Sequence, residues 1–280
     1  MNTNAWMANG RGRARGAANS KAMDVGARAG FVARGVIYLL VGVLALRIAF
    51  SDGGGEQADR GGAIAEIAEK PFGNILLWAL GVGLAGMALW RLSEAVFGQA
   101  GPDGHKPGKR VMAAARSVFY AFVSYSVLSY AAGDQGSGSG SSDRQTEDVT
   151  ARALGWTGGQ WIVGIAGAAV VGTGLWMVYR AVTRAFHKRL KMAEMTTKIR
   201  RVVDVLGVFG GTARGVLFAT AGGFAVAAAV RHEPGRAKGM DDTLRSFTDT
   251  PAGPWLLALI ALGLAAFGAF SWASARYRRI

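Results

Sequence analysis

Three arginines, Arg34, Arg116 and Arg214, stand near the start of apolar runs about twenty residues long. A charge within such a run is costly in lipid, so it is usually paired or functional. Two kinds of chemistry are open to these side chains. They can pair with the acids Asp24, Asp204 and Glu94, or snorkel to the headgroups from about one turn inside the membrane edge. Alternatively they form a basic ring that holds an anion or a lipid headgroup. Pairing or snorkelling is the simpler expectation. Arg214 reads as the deepest of the three, because its apolar stretch begins near Val202. Arg47, near the far end of the first run, reads as a snorkelling residue.

Little else in the chain points to chemistry. His105, His187 and His232 fall in loops, far apart and without a carboxylate at ligand spacing. There is no nucleophile elbow, zinc-protease motif or pair of intramembrane acids. The chain has no cysteine, which excludes disulfides, thiolate nucleophiles, iron–sulfur ligation and thiol-based zinc sites. The expectation is a non-enzymatic protein with no catalytic residue, metal or cofactor. The run Gly81-Val82-Gly83-Leu84-Ala85-Gly86 matches the dinucleotide-binding pattern letter for letter but lacks the strand–turn–helix context that pattern needs. Small residues inside a membrane helix instead let backbones approach closely. Gly81, Gly83 and Gly86 therefore read as packing positions, as do Gly164, Gly167, Gly172 and Gly174 in a later run and Gly263 and Gly268 in the last.

The arginines recur because the segments around them recur. Ala33-Arg34-Gly35, Ala115-Arg116-Ser117 and Ala213-Arg214-Gly215 are followed 39, 43 and 39 residues after the arginine by Gly73, Gly159 and Gly253. Seventeen residues past each glycine stands an aromatic: Trp90, Trp176 or Phe270. One two-helix unit is copied three times. Six apolar runs, 31–50, 72–92, 111–132, 159–179, 206–230 and 253–273, are each long enough to cross the bilayer as helix. The predicted fold is all-α and integral to the membrane. It has a tail at 1–20, then repeats at 21–98, 106–187 and 201–279. Each repeat holds two spans, so all three share one orientation and relate by a pseudo-threefold axis along the membrane normal, unlike inverted repeats.

Charge sets the topology. Segments expected on one side carry 23 Lys and Arg against 5 Asp and Glu, and those on the other carry 9 against 13, which accounts for the net +14. The positive side stays in the cytoplasm, so both termini are expected there and the chain in the plasma (inner) membrane. Its expected partner is the anionic headgroup layer of the cytoplasmic face. No nucleic acid is expected, although Arg11-Gly12-Arg13-Ala14-Arg15-Gly16 resembles an arginine–glycine arm.

Local patterns add detail. Lys21-Ala22-Met23-Asp24-Val25 parallels Arg201-Val202-Val203-Asp204-Val205, while repeat two has Lys106 and Pro107 instead. Glycines at 30, 210 and 211 suggest a short interfacial helix, a bend, then the span. Short amphipathic stretches at 63–69, 149–154 and 242–248 suggest helices lying on the outer interface before Pro71 and Pro251. Residues 133–143 form a glycine/serine spacer. Trp161 and Trp255, and at the other end Trp90, Trp176 and Trp272, read as headgroup-level rings.

The segments Ala33-Arg34-Gly35-Val36-Ile37-Tyr38, Pro71-Phe72-Gly73, Leu89-Trp90-Arg91-Leu92-Ser93-Glu94-Ala95 and Ala275-Arg276-Tyr277-Arg278-Arg279 resemble a bacterial membrane family of three tandem two-helix repeats, domain of unknown function 1206. The likeness covers about residues 21 to 279. It implies architecture and membrane location and brings no activity with it. Repeat two departs, with Ser117 after its arginine and Arg180 where repeat one has Glu94. Function is then read first as a scaffold, partner-binding or lipid-organising subunit, motivated by glycine packing and scarce intramembrane acids. The alternative is a small channel or transporter for an anionic solute, with Arg34, Arg116 and Arg214 at its cytoplasmic mouth.

Overall fold

The computed structural model describes residues 21–50, 57–98, 106–133, 142–249 and 251–279. Its helices are α1 (Lys21–Phe50), α2 (Arg60–Ala68), α3 (Gly73–Phe97), α4 (Pro107–Ala131), α5 (Ser142–Leu154), α6 (Gly159–Val182), α7 (Thr197–Arg231), α8 (Met240–Arg245) and α9 (Gly253–Tyr277). Of these, α1, α3, α4, α6, α7 and α9 are long and apolar enough to cross a membrane. Local chemistry sets their starts. Pro107 opens α4, where its missing N–H costs nothing. Thr196 caps α7 through its side chain, and Asp59 caps α2 by accepting from the Gly62 N–H at 2.9 Å. Gly158, with φ of 80°, turns the chain into α6.

Two expectations are corrected at the helix starts. Residues 21–33 and 201–213 are not separate interfacial helices; α1 and α7 run unbroken through Gly30, Gly210 and Gly211. These glycines serve contact between helices. A Cβ on Gly30 would lie 2.8 Å from the Gly83 carbonyl oxygen, and one on Gly210 would strike the backbone of Phe267. Most of the spacer at 133–143 and all of the tail at 1–20 lie outside the described residues.

The closest helix pairs join different repeats. α3 packs on α4, α6 on α7, and α9 on α1; within repeats, α1 meets α3 and α7 meets α9 less extensively. All three inter-repeat seams have the same register. The residues one and eight positions after each arginine face the neighbouring repeat: Gly35 and Gly42, Ser117 and Ser124, Gly215 and Gly222. Opposite them stand Gly268 and Ala261, Ala88 and Gly81, Gly174 and Gly167. A Cβ on Gly35 would lie 2.9 Å from the Gly268 oxygen, and one on Gly215 2.7 Å from that of Gly174. Small residues are needed because the backbones nearly touch. Repeat two meets the need differently: the Ser117 and Ser124 hydroxyls donate to the Ala88 and Gly81 carbonyls, both at 2.8 Å.

The short helices of repeats one and three tuck into the bundle, while Val149 on α5 of repeat two is exposed. Ile64, Ile67, Leu244 and Phe247, expected on the lipid interface, are all buried in the core. The segments of repeats one and three lock together where the buried Asp241 carboxylate accepts from the Ala58 N–H at 2.7 Å and from Arg245 at 2.8 Å. Arg47 reaches Glu66 on α2 at 3.6 Å, so it is tied to the protein rather than simply snorkelling. Trp161 and Trp255 are exposed, but Trp90 is 4% exposed and belongs to the interior.

Candidate functional site: an arginine-lined cavity

Successive helical residues are about 100° apart, so with the next position held at a seam each arginine projects off that seam, and all three point to one cavity. The residue four positions on shares its face: Tyr38 after Arg34, Tyr120 after Arg116, Phe218 after Arg214. The three arginines all line one cavity of about 680 Å³. Arg34 and Arg214, with Tyr38, Tyr120 and Phe218, also line a second space of about 530 Å³ nearer the short helices. Lining a shared cavity is the arrangement set against pairing and snorkelling in the sequence reading.

Further cations join them. Arg180, Arg189 and Arg278 line the larger cavity together with Lys109, and among the described residues no Asp or Glu lines it. Arg189 and Arg278 are brought side by side by an antiparallel bridge. The Lys191 N–H donates to the Tyr277 carbonyl at 2.8 Å, and the Arg279 N–H to the Arg189 carbonyl at 3.0 Å. Burial pulls the Arg189 guanidinium down to about 10, helped by repulsion from Arg180 and Arg91 and partly offset by Glu94. Burial likewise holds Arg278 well below the ordinary arginine range, with Arg91 and Arg189 adding repulsion. The cations thus crowd one another.

Neutral groups supply much of what holds these charges. Arg34 Nε donates to Ser271 Oγ at 3.1 Å, and Arg34 is also hydrogen-bonded to Tyr120. Its guanidinium lies 4.8 Å from the Phe31 ring centre and 5.2 Å from that of Phe267. Arg214 sits over Tyr38, Phe218 and Phe267 at 5.3, 5.2 and 4.8 Å. Arg278 lies over Phe31 and Trp90. Aromatic faces attract cations but accept no ordinary hydrogen bond. The Nε atoms of Arg91, Arg214 and Arg278 are buried and lack a hydrogen-bond partner. A guanidinium is a fork of five donors suited to phosphate or carboxylate, and the arginines lining the cavity bring such forks to its wall.

The acids named from sequence go elsewhere. Glu94 pairs with Arg91 at 2.5 Å, both largely buried. Asp204 pairs with His187 and lies 3.7 Å from Arg184, not with Arg214. Asp24 lies on α1 ten residues before Arg34, and neither Asp24 nor Asp204 lines the cavity. His232 closes α7 in a left-handed conformation, and His105 lies outside the described residues. Among the expected packing glycines, Gly83 and Gly86 approach Ala29 and Gly26, Gly81 meets Leu128, Gly164 meets Ala229, and Gly263 meets Ala213. Gly172 differs: it lines the cavity, and a Cβ there would meet nothing within 4 Å.

Sequence reasoning did not single out Arg180, Arg189, Arg278 or the aromatics at Tyr38, Tyr120 and Phe218 as one group. Arg–x–x–x–aromatic, repeated three times, was the available signal. At the opposite end Arg60 lines the smaller space over Phe122 at 5.5 Å, with its Nε buried and unpartnered. Burial lowers its affinity for the proton, an effect Asp59 partly offsets.

Comparisons with known proteins agree with the repeat structure. The family described as Domain of Unknown Function (DUF1206) matches three times, at residues 29–98, 111–184 and 209–278. The chain is similar to the uncharacterised protein YxxB of Bacillus subtilis (strain 168), with 27% identity over 244 residues covering 87% of each chain. No solved structure matches.

Proposed function

The chain belongs to the DUF1206 family of three-repeat proteins, and from that premise we propose that it is a non-enzymatic membrane protein whose centre binds an anionic phosphate- or carboxylate-bearing group. The observation that carries this reading is the cavity itself: Arg34, Arg116, Arg180, Arg189, Arg214 and Arg278 line it, with no lining carboxylate among the described residues. Like charges gathered around one cavity repel, and an anion among them relieves that repulsion. In this reading the repeats surround an axis along the membrane normal. The arginine-rich end and both termini face the cytoplasm of a bacterial plasma membrane, where basic segments remain.

The first expectation from sequence, a scaffold, partner-binding or lipid-organising subunit, accommodates a bound anion, and the cavity adds that binding to it. A transport reading draws support from one feature. The two spaces share Arg34 and Arg214, and the second reaches Arg60 among the short helices, so polar groups recur along the interior. Binding is common to both readings and is tested first.

Inorganic pyrophosphate is the probe. Ligand at about 100 times its Kd stabilises the folded state by about 2.7 kcal/mol, or on the order of 5 °C for a chain of this size. Native protein in neutral detergent should show that rise at fixed ionic strength, and Arg34→Gln with Arg214→Gln should lose most of it. Equal rises in both proteins, or none in either, would refute central anion binding.

A further inference from the structure

The ring of helices is open on one side. Five neighbouring pairs pack closely, but among the described residues α4 and α6, the two helices of repeat two, barely touch. α6 is the least buried of the six long helices. The larger cavity reaches this gap, since its wall includes Met112 and Arg116 from α4 and Ala169, Gly172 and Trp176 from α6. The opening therefore lies within the membrane-spanning length, and its rim is mostly apolar. On either side Val118, Phe119 and Phe122 of α4 and Ile162, Ile165 and Trp176 of α6 are exposed.

We propose that an anionic phospholipid enters sideways between α4 and α6, so that its phosphate meets the arginines while its acyl chains remain along the exposed faces of these helices. The inference rests on the anion-binding reading and names the ligand class. Charge complementarity selects a negative headgroup, because the cavity wall carries arginines and, among the described residues, no carboxylate. The route selects an amphiphile. At the gap α4 and α6 set Met112, Ala169, Gly172 and Trp176 beside Lys109, Arg116 and Arg180, a rim that suits a molecule carrying both hydrocarbon and a negative group. The smaller space adds an apolar surface of Ile37, Val41, Leu84, Phe119, Val123 and Phe218 continuous with the same arginines.

Gly172→Phe supplies a plug. A side chain there projects into open space, so it narrows the gap without pressing on the bundle; an unchanged melting temperature in lipid-free detergent checks this. Native and Gly172→Phe proteins are assembled into nanodiscs of equimolar phosphatidylglycerol and phosphatidylcholine, released into detergent, and weighed by native mass spectrometry. The native protein should keep phosphatidylglycerol at least tenfold over phosphatidylcholine, and the variant should lose most of that adduct. Pyrophosphate stabilisation of the native protein is measured in parallel. Stabilisation without lipid preference would overturn lipid entry and leave the anion site standing; neither effect would overturn both. Phosphatidylglycerol kept equally by Gly172→Phe would overturn the lateral route, as would a dimer in which a second copy fills the gap.

Discussion

The Ser117 hydroxyl donates to the Ala88 carbonyl at 2.8 Å, at the position where the other repeats bring Gly35 against Gly268 and Gly215 against Gly174. One seam uses a hydrogen bond where two use bare backbone contact. The difference explains how repeat two departs from its siblings after the arginine while keeping their register.

The seams should respond differently to substitution. Interhelical hydrogen bonds in membranes average about 0.6 kcal/mol, so Ser117→Ala should lower stability by under about 1 kcal/mol. Gly215→Val forces carbon against the Gly174 carbonyl and the Val178 side chain, and overpacking costs about 1–3 kcal/mol. Melting temperatures of both variants in one detergent compare them directly; a larger loss for Ser117→Ala would contradict the seam account.

The Arg91–Glu94 pair has side chains only 4% and 12% exposed. Removing one partner of a buried pair leaves an uncompensated charge and costs about 3–5 kcal/mol. Glu94→Gln should therefore destabilise strongly, more than Glu194→Gln, whose pair with Lys191 is exposed. Equal melting temperatures for the two variants would show that Arg91 does not depend on Glu94.

Asp241 fastens the first outer segment to the third. Asp241→Ala strands the buried Ala58 N–H, at about 1–3 kcal/mol. Asp241→Asn keeps an acceptor oxygen and should cost less. Hydrogen exchange at Ala58 reads the bond itself, and protection unchanged in Asp241→Ala would remove the latch.

Glu66, outside the spanning segments, is held below the ordinary glutamate range by its hydrogen bond to Lys70, with Lys70 and Arg47 adding charge. A depressed carboxyl stabilises the fold above its unfolded pKa, near 4.3, and that contribution disappears as pH falls through the folded value. Stability should therefore drop below about pH 4, and Glu66→Gln should shed part of the drop. The effect stays within about 1 kcal/mol because Lys70 and Arg47 are half-exposed. An identical acid profile in Glu66→Gln would contradict it.

Periodic spacing made the repeats and the six long helices legible, because hydropathy and the recurring Arg, Gly and aromatic positions are local signals. The seam was half-legible: glycine said that helices approach, but not that Gly35 meets Gly268 across the first and last repeats rather than a partner in its own hairpin. The inward turn of Arg34, Arg116 and Arg214 depends on that pairing, so no single helix could reveal it. Arg189 and Arg278 read as topology charges because each lies just beyond an apolar run. Only the bridge between the segments around them places both beside the cavity. Ile64 and Leu244 misled for a related reason, since an amphipathic stretch looks the same whether its apolar face meets lipid or the protein's own core.

The most direct test of the arginine cavity is anomalous diffraction from crystals soaked in tungstate, a divalent stand-in for phosphate. The account predicts a peak inside the cavity within about 4 Å of the guanidinium groups of Arg34 and Arg214, a charge-assisted contact distance, that disappears in Arg34→Gln with Arg214→Gln. Tungstate confined to the exterior basic surface, with an empty centre, would contradict it.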